Sequence, residues 1–208
     1  MTTQQTVGSN WRGKTAGERQ AARRVLLLEA ALNLLGANGV SSLGVRAICR
    51  EAGLTERYFY ESFKSLDELV GETYDAVIDG AYQAMQAAMV EAGSGYQAAE
   101  AAIRSFTDYL TSDPRRARVF LMETEVAGTL ASQLRRKLDR NRGLFISLLK
   151  GLSDEPIDAL GLELNARALM GSQTRLFLAW ISGSLDISRE RFIQHTLEVF
   201  KAVAAVRS

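Results

Sequence analysis

Between residues 18 and 37, Val25, Leu28, Leu32 and Leu35 recur at spacings of three and four, the signature of one helical face. Asn38-Gly39 ends that stretch, because both residues tolerate the left-handed C-cap conformation. A short helix is expected over 45–51, with Val45 and Ile48 inward and Gly53 as the break. A third runs over 55–63 from Thr55 as N-cap. Ser65 followed by Glu68 is a capping-box pattern and predicts a long fourth helix over 65–91. A fifth is expected over 96–111, a sixth from Pro114 to about residue 122, and a seventh over 124–149. The stretch 151–162, with Pro156, reads as a loop. An eighth helix follows over 163–181, with Leu169, Gln173, Leu176 and Trp180 on one stripe and Met170, Phe177 and Ile181 beside it. Ser188 opens a ninth, in which Phe192, Thr196, Val199 and Val203 share a face. No segment sustains period-two alternation, so no strand is predicted.

Composition agrees with an all-α chain: 208 residues hold only two prolines, the strongest helix breaker. No apolar run approaches the ~18 residues of a membrane span. The polar N-terminus lacks the apolar stretch of a secretion signal, so a cytoplasmic location is expected. A single cysteine, Cys49, excludes an internal disulfide, and with one histidine, His195, no metal site or cofactor is expected.

Charge changes the picture more. Residues 1–64 hold nine basic and five acidic side chains, a balance of +4, against −3 for the remainder. A basic N-terminal third on a mildly acidic body points to a polyanion-facing module joined to something else.

That module has a crowded third helix. Tyr58, Phe59, Tyr60 and Phe63 fall within seven residues, among Arg57, Glu61 and Lys64. Phe59 and Phe63, four apart, share a face and are expected in the core with Leu54, Ile48 and Val45. Tyr60 is expected at the edge of that face, ring in and hydroxyl out. Thr55, Arg57, Tyr58, Glu61 and Ser62 are left pointing away. Such a patch suits a DNA major groove, where hydroxyls and Arg meet phosphates and Arg also forks onto guanine. A merely solvated helix face fits the charge pattern as well.

Three stretches make the chain resemble the TetR family of transcriptional regulators: AALNLLGANG (30–39), VRAICREAGLT (45–55) and FYESFKSLDEL (59–69). DPRRAR (113–118) and WISGSLDIS (180–188) resemble the looser family body. The resemblance implies a three-helix helix-turn-helix DNA-binding domain followed by a six-helix ligand-binding and dimerisation domain. The boundaries expected are 1–17 for a flexible basic arm, 18–64 for the DNA-binding domain and 65–208 for the body. It implies double-stranded operator DNA, a small-molecule effector and a second copy of the chain as partners, and no enzyme activity. The chain departs from the pattern at Gly44, at Arg57 and Tyr58, at Ser62, and at Leu66, where a phosphate-holding Lys is usual and Lys64 is the substitute.

With that resemblance, Arg46, Thr55, Arg57, Tyr58, Tyr60, Ser62 and Lys64 are the expected DNA contacts. Arg12, Lys14, Arg19 and Arg23 suit an arm along a phosphate strand, and a polar tail without that role fits equally. Cys49 is expected as a small buried residue. The run Arg135, Arg136, Lys137, Arg140 and Arg142 is expected on a solvated face, with Leu134, Leu138 and Phe145 inward. Phe106, Tyr109, Phe120, Phe145, Met170, Gln173, Thr174 and Phe177 are the candidate cavity residues; Glu123 and Glu125 either orient a ligand or cap helix ends. The function expected is a repressor released from a palindromic operator by a small apolar or amphipathic ligand. An activator, or a regulator governed by a protein partner, is the alternative. An enzyme fits less well, because no nucleophile–base pair is visible.

Overall fold

Thr15 and Glu18 close a capping box. The Thr15 hydroxyl accepts from the Glu18 N–H at 3.2 Å, and the Glu18 carboxylate accepts from the Thr15 N–H at 2.6 Å. The helix they open, α1 (Ala16–Asn38), therefore begins earlier than hydrophobic periodicity suggests and takes in Ala16 and Gly17 of the expected arm. The computed structural model describes residues 15–121 and 142–206. The expectations for Arg12, Lys14, Met122, Glu123, Glu125, Leu134, Arg135, Arg136, Lys137, Leu138 and Arg140, and for the first part of the seventh helix, lie outside the described residues.

After a 3-10 turn (Val40–Ser42) come α2 (Val45–Ala52), α3 (Glu56–Ser62), α4 (Leu66–Ala92), α5 (Gly95–Thr111) and α6 (Pro114–Leu121). The chain continues with α7 (Arg142–Leu152), α8 (Ala159–Ile181) and α9 (Arg189–Ala204). Among the described residues the fold is all-helical, with nine α-helices and no strand. None of these helices is long and apolar enough to cross a membrane.

Side-chain caps set several boundaries. Ser65 accepts from the Glu68 N–H at 3.1 Å to open α4, but the Glu68 carboxylate reaches back to the Lys64 N–H instead of completing the box. Asp158 accepts from the N–H groups of Leu160 and Gly161, so α8 starts four residues before the expected Glu163 and the preceding loop is shorter. Ser188 accepts from the Arg191 N–H and opens α9.

Two apolar clusters divide the interior. The smaller joins Leu27, Ala30 and Ala31 of α1 to Ile48, Cys49, Phe59, Phe63 and Leu69. The larger runs from Leu35 of α1 through α4–α9. The buried stripe of α1 is Leu27, Ala31 and Leu35, not the stripe expected through Val25, which is 64% exposed. Three consecutive leucines, Leu26 to Leu28, allow either register. The small Ala30 and Ala31 settle it, because only that side lets α2 and α3 approach closely.

Gly53 makes the turn between α2 and α3 at φ 66° and ψ 30°, a left-handed conformation. Its N–H donates to the Arg50 carbonyl oxygen at 3.3 Å, and the Leu54 N–H donates to that of Cys49 at 2.9 Å. A side chain is strained there. Gly53→Ala is expected to destabilise the fold by about 1–2 kcal/mol, read as a lower denaturant midpoint with an unchanged slope.

Ion pairs tie helices of the body together. Arg104 of α5 forks onto Glu190 of α9 at 2.6 and 2.8 Å and holds that carboxyl down at a pKa of about 2. Arg142 of α7 meets Glu163 of α8 at 3.0 Å. Arg115 of α6 reaches α1, where it pairs with Glu29 at 2.6 Å and bonds Asn33, while Asp113 holds its other nitrogens. The same Arg115 keeps the Asp113 carboxyl below its ordinary range. Gly36 makes this crossing possible, since a Cβ built on it would lie 2.6 Å from the Arg115 Cβ and 2.9 Å from its Cα.

Candidate nucleic-acid interface and ligand cavity

Phe59 and Phe63 are fully buried, ring centroids 5.9 Å apart, and fix α3 against α1 and α2. That anchoring leaves Thr55, Arg57, Tyr60 and Lys64 exposed, with Arg46 of α2 beside them. The Thr55 hydroxyl makes no capping bond. Arg57 Nε donates to Glu61 at 2.9 Å with its side chain 83% exposed. Arg46 Nε donates to Glu56 at 3.2 Å with its side chain 91% exposed. Ion pairs so open to water are worth at most about 1 kcal/mol each. Both guanidiniums can therefore exchange a carboxylate for a phosphate at little cost.

The tyrosines exchange their expected places. Tyr60 is 60% exposed, its ring edge-on to Phe59 at 5.3 Å, and does not bury. Tyr58, expected to point away, is half-buried, with the Arg23 guanidinium 4.4 Å above its ring. The cause is α1, which passes over this side of α3. Arg23 pairs with the Glu61 carboxylate at 3.4 Å, and Gln20 Nε2 donates to the Glu61 carbonyl oxygen at 3.0 Å. Arg23 is thus tethered within the head. The Ser62 hydroxyl is spent on the Tyr58 carbonyl oxygen at 2.9 Å. Arg24, which carried no expected role, bonds the Ser62 carbonyl oxygen and Glu72 and covers the Phe63 ring at 4.1 Å. Burial, and then the nearby Glu56, push the Cys49 thiol above its ordinary pKa, away from the reactive thiolate.

A cavity of about 50 Å³ lies inside the body. Tyr82 and Met85 of α4 and Ile103, Phe106 and Thr107 of α5 form one side. Phe120 of α6, Phe145 of α7, and Gln173, Thr174 and Phe177 of α8 form another. Phe192, Thr196 and Phe200 of α9 close it. Two expected lining residues are elsewhere. Tyr109 turns onto α4, where a Cβ on Gly80 would lie 2.1 Å from its hydroxyl, and Arg116 covers its ring at 4.2 Å. Met170 is buried in the body core without reaching the cavity. The α9 contribution was missed, although Phe192 and Thr196 repeat at the right spacing; a polar Thr in an apolar stripe is the signal that marks it. Among the described residues no charged side chain lines the cavity. Burial raises the Tyr82 hydroxyl above its ordinary pKa, so it stays neutral. His195 is exposed on α9, and no group of three or more metal-type side chains occurs among the described residues.

Residues 27–73, from the buried stripe of α1 to the first turns of α4, match the bacterial regulatory proteins of the tetR family. This stretch belongs to the tetR family of DNA-binding domains. The match covers the whole α2–α3 unit and its anchoring rings. A curated relative, an uncharacterised helix-turn-helix transcriptional regulator of Haemophilus influenzae, is 30% identical over 113 residues. The alignment covers 54% of this chain and 55% of that protein, so the chain spans about half the length of the curated relative. The likeness in fold extends over the body as well. The fatty acid degradation regulator FadR from Bacillus halodurans superposes with a TM-score of 0.72 at 16% identity, over 88% of this chain and 99% of that one. FadR from Bacillus subtilis, solved in complex with stearoyl-CoA, superposes with a TM-score of 0.70 at 15% identity, over 87% and 97%.

Proposed function

We propose that this TetR-family chain is a ligand-responsive repressor that binds a two-fold operator as a homodimer. Arg57, Tyr60 and Thr55 of the α3 region meet the major groove, with Arg46 and Lys64 on the flanking phosphates. Tyr58 and Ser62 act from beneath, holding α3 in shape. The DNA-binding head is residues 18–64, and residues 65–208 take the ligand and the second copy. The observation that carries the reading is one helix with two attachments: α6 has Phe120 in the cavity wall and Arg115 on α1. Typical ligand sites are several hundred Å³, so a cavity of about 50 Å³ has to widen for most effectors. Widening moves α6 and α4, and both abut α1, which carries α3. A ligand that binds the widened state better shifts the population towards it and away from the operator.

Selection of bound DNA from a random pool, with salt held constant, tests this. Enrichment of a near-palindrome with one half-site per α3 is the expected result, and its affinity should fall steeply with salt. Failure to enrich any sequence would sink the reading.

The shared fold with FadR favours a second effector class, an acyl-CoA thioester. Against it, the lining of the cavity carries no cation among the described residues to meet phosphates.

A further inference from the structure

Two polar atoms in the cavity have no hydrogen-bond partner. Gln173 Oε1 of α8 and Thr196 Oγ of α9 are both buried, their residues 9% and 4% exposed, and both residues line the same cavity. Buried polar groups are nearly always satisfied, and each one left alone costs about 1–3 kcal/mol. Thr107 also lines the cavity, but its hydroxyl is spent on the Ile103 carbonyl oxygen at 2.7 Å. The two unmet groups are thus presented to one chamber whose lining is mostly apolar.

Much of the remaining lining is aromatic. Phe106, Phe120 and Phe177 meet edge to face with centroids 5.2–5.9 Å apart, and Phe192 stands 5.7 Å from Phe177. A further ring extends such a cluster favourably. The volume of about 50 Å³ is roughly a third of the ~150 Å³ of an apolar cavity that takes benzene, so a single ring asks for less widening than any larger ligand. An ion is excluded by cost, since no opposite charge is present in the lining among the described residues.

Resting on the ligand-responsive reading, we propose that the cavity takes a compact, uncharged aromatic molecule with one hydroxyl. The hydroxyl donates to Gln173 Oε1 and accepts from Thr196 Oγ–H, and the ring packs on Phe106, Phe120 and Phe177. Hydroxyl chemistry fits because one atom both donates and accepts, which is what the two protein groups need.

Trp180 supplies the reporter. Its ring stacks on Phe192 with centroids 4.6 Å apart, so a molecule against Phe192 perturbs its emission. In the full chain with Trp11→Phe, phenol is expected to change that emission saturably, and benzene to bind about tenfold more weakly or worse. The near-isosteric pair Gln173→Leu and Thr196→Val, checked for folding by circular dichroism, should erase the preference. Equal binding of phenol and benzene, or a preference that survives the double substitution, overturns the proposal. So does saturation by stearoyl-CoA with no response to either ring. Operator affinity is followed in the same samples. Phenol binding that leaves the operator complex intact removes the ligand-responsive reading and keeps this one. Release by another molecule without phenol binding does the reverse.

Discussion

Alanine at both Arg57 and Tyr60 is expected to weaken binding to the selected operator about a hundredfold or more, with only a modest fall in melting temperature. Both side chains are exposed, and the rings that hold α3, Phe59 and Phe63, are untouched. The internal interactions lost are the Arg57–Glu61 pair, which at 83% exposure contributes under about 1 kcal/mol, and the edge contact of the Tyr60 ring with Phe59, worth about 1 kcal/mol. On DNA the same guanidinium contributes about 1–3 kcal/mol if it forks onto guanine, and the tyrosine ring adds contact with a thymine methyl. Gel shift at fixed salt, beside a thermal melt, separates the two effects. A folded double variant with the parent's operator affinity removes α3 as the reading element.

Gly36→Ala should cost both stability and response. The added methyl would lie 2.5 Å from the Arg115 Cγ, 2.6 Å from its Cβ and 2.9 Å from its Cα. A side-chain rotation relieves the first of these contacts but not the last, so α6 must shift off α1. Overpacking of this kind costs about 1–3 kcal/mol, and the better helix propensity of Ala returns at most about 1 kcal/mol. A lower melting temperature is expected, together with a smaller change in operator affinity when ligand is added. Gly171→Ala on α8 is the control, because a methyl there meets nothing within 4 Å. A Gly36→Ala protein that melts like the parent and responds fully would show that the α1–α6 crossing carries no coupling.

The helical order was legible because caps and periodicity are local. Ser65, Ser188 and the break at Gly53 each act within a few residues, and each lies where the sequence implies. The burial of Phe59 and Phe63 was legible for the same reason. The exchange of Tyr58 and Tyr60 was not, because it depends on Arg23, 35 positions upstream, lying over one ring and not the other. Val25 failed for a related reason: three leucines in a row leave the register of α1 to its partners. In the body, Phe106, Phe120, Phe145, Gln173, Thr174 and Phe177 were found as aromatic or polar breaks on apolar faces. Tyr109 has the same credentials and turns onto α4 instead, since rotation about a helix axis is decided by the neighbour it meets.

Arg24 gives the head a mechanical property. By gripping the Ser62 carbonyl oxygen and Glu72 at once, it welds the end of α3 to the first turns of α4. From Leu69 in the head cluster to Tyr82 at the cavity, α4 measures about 20 Å at ~1.5 Å per residue. Used as a lever pivoting at the cavity, that length turns a tilt of ~5° into nearly 2 Å of travel at the recognition helix. In a two-fold pair the two arms swing in opposite senses, so their separation changes by about twice as much against the fixed ~34 Å repeat of DNA. If the chain acts as proposed, the body needs no large rearrangement to lose its operator. On that reading, a small tilt of α4 at the cavity is geared up until the two α3 helices no longer fit successive grooves.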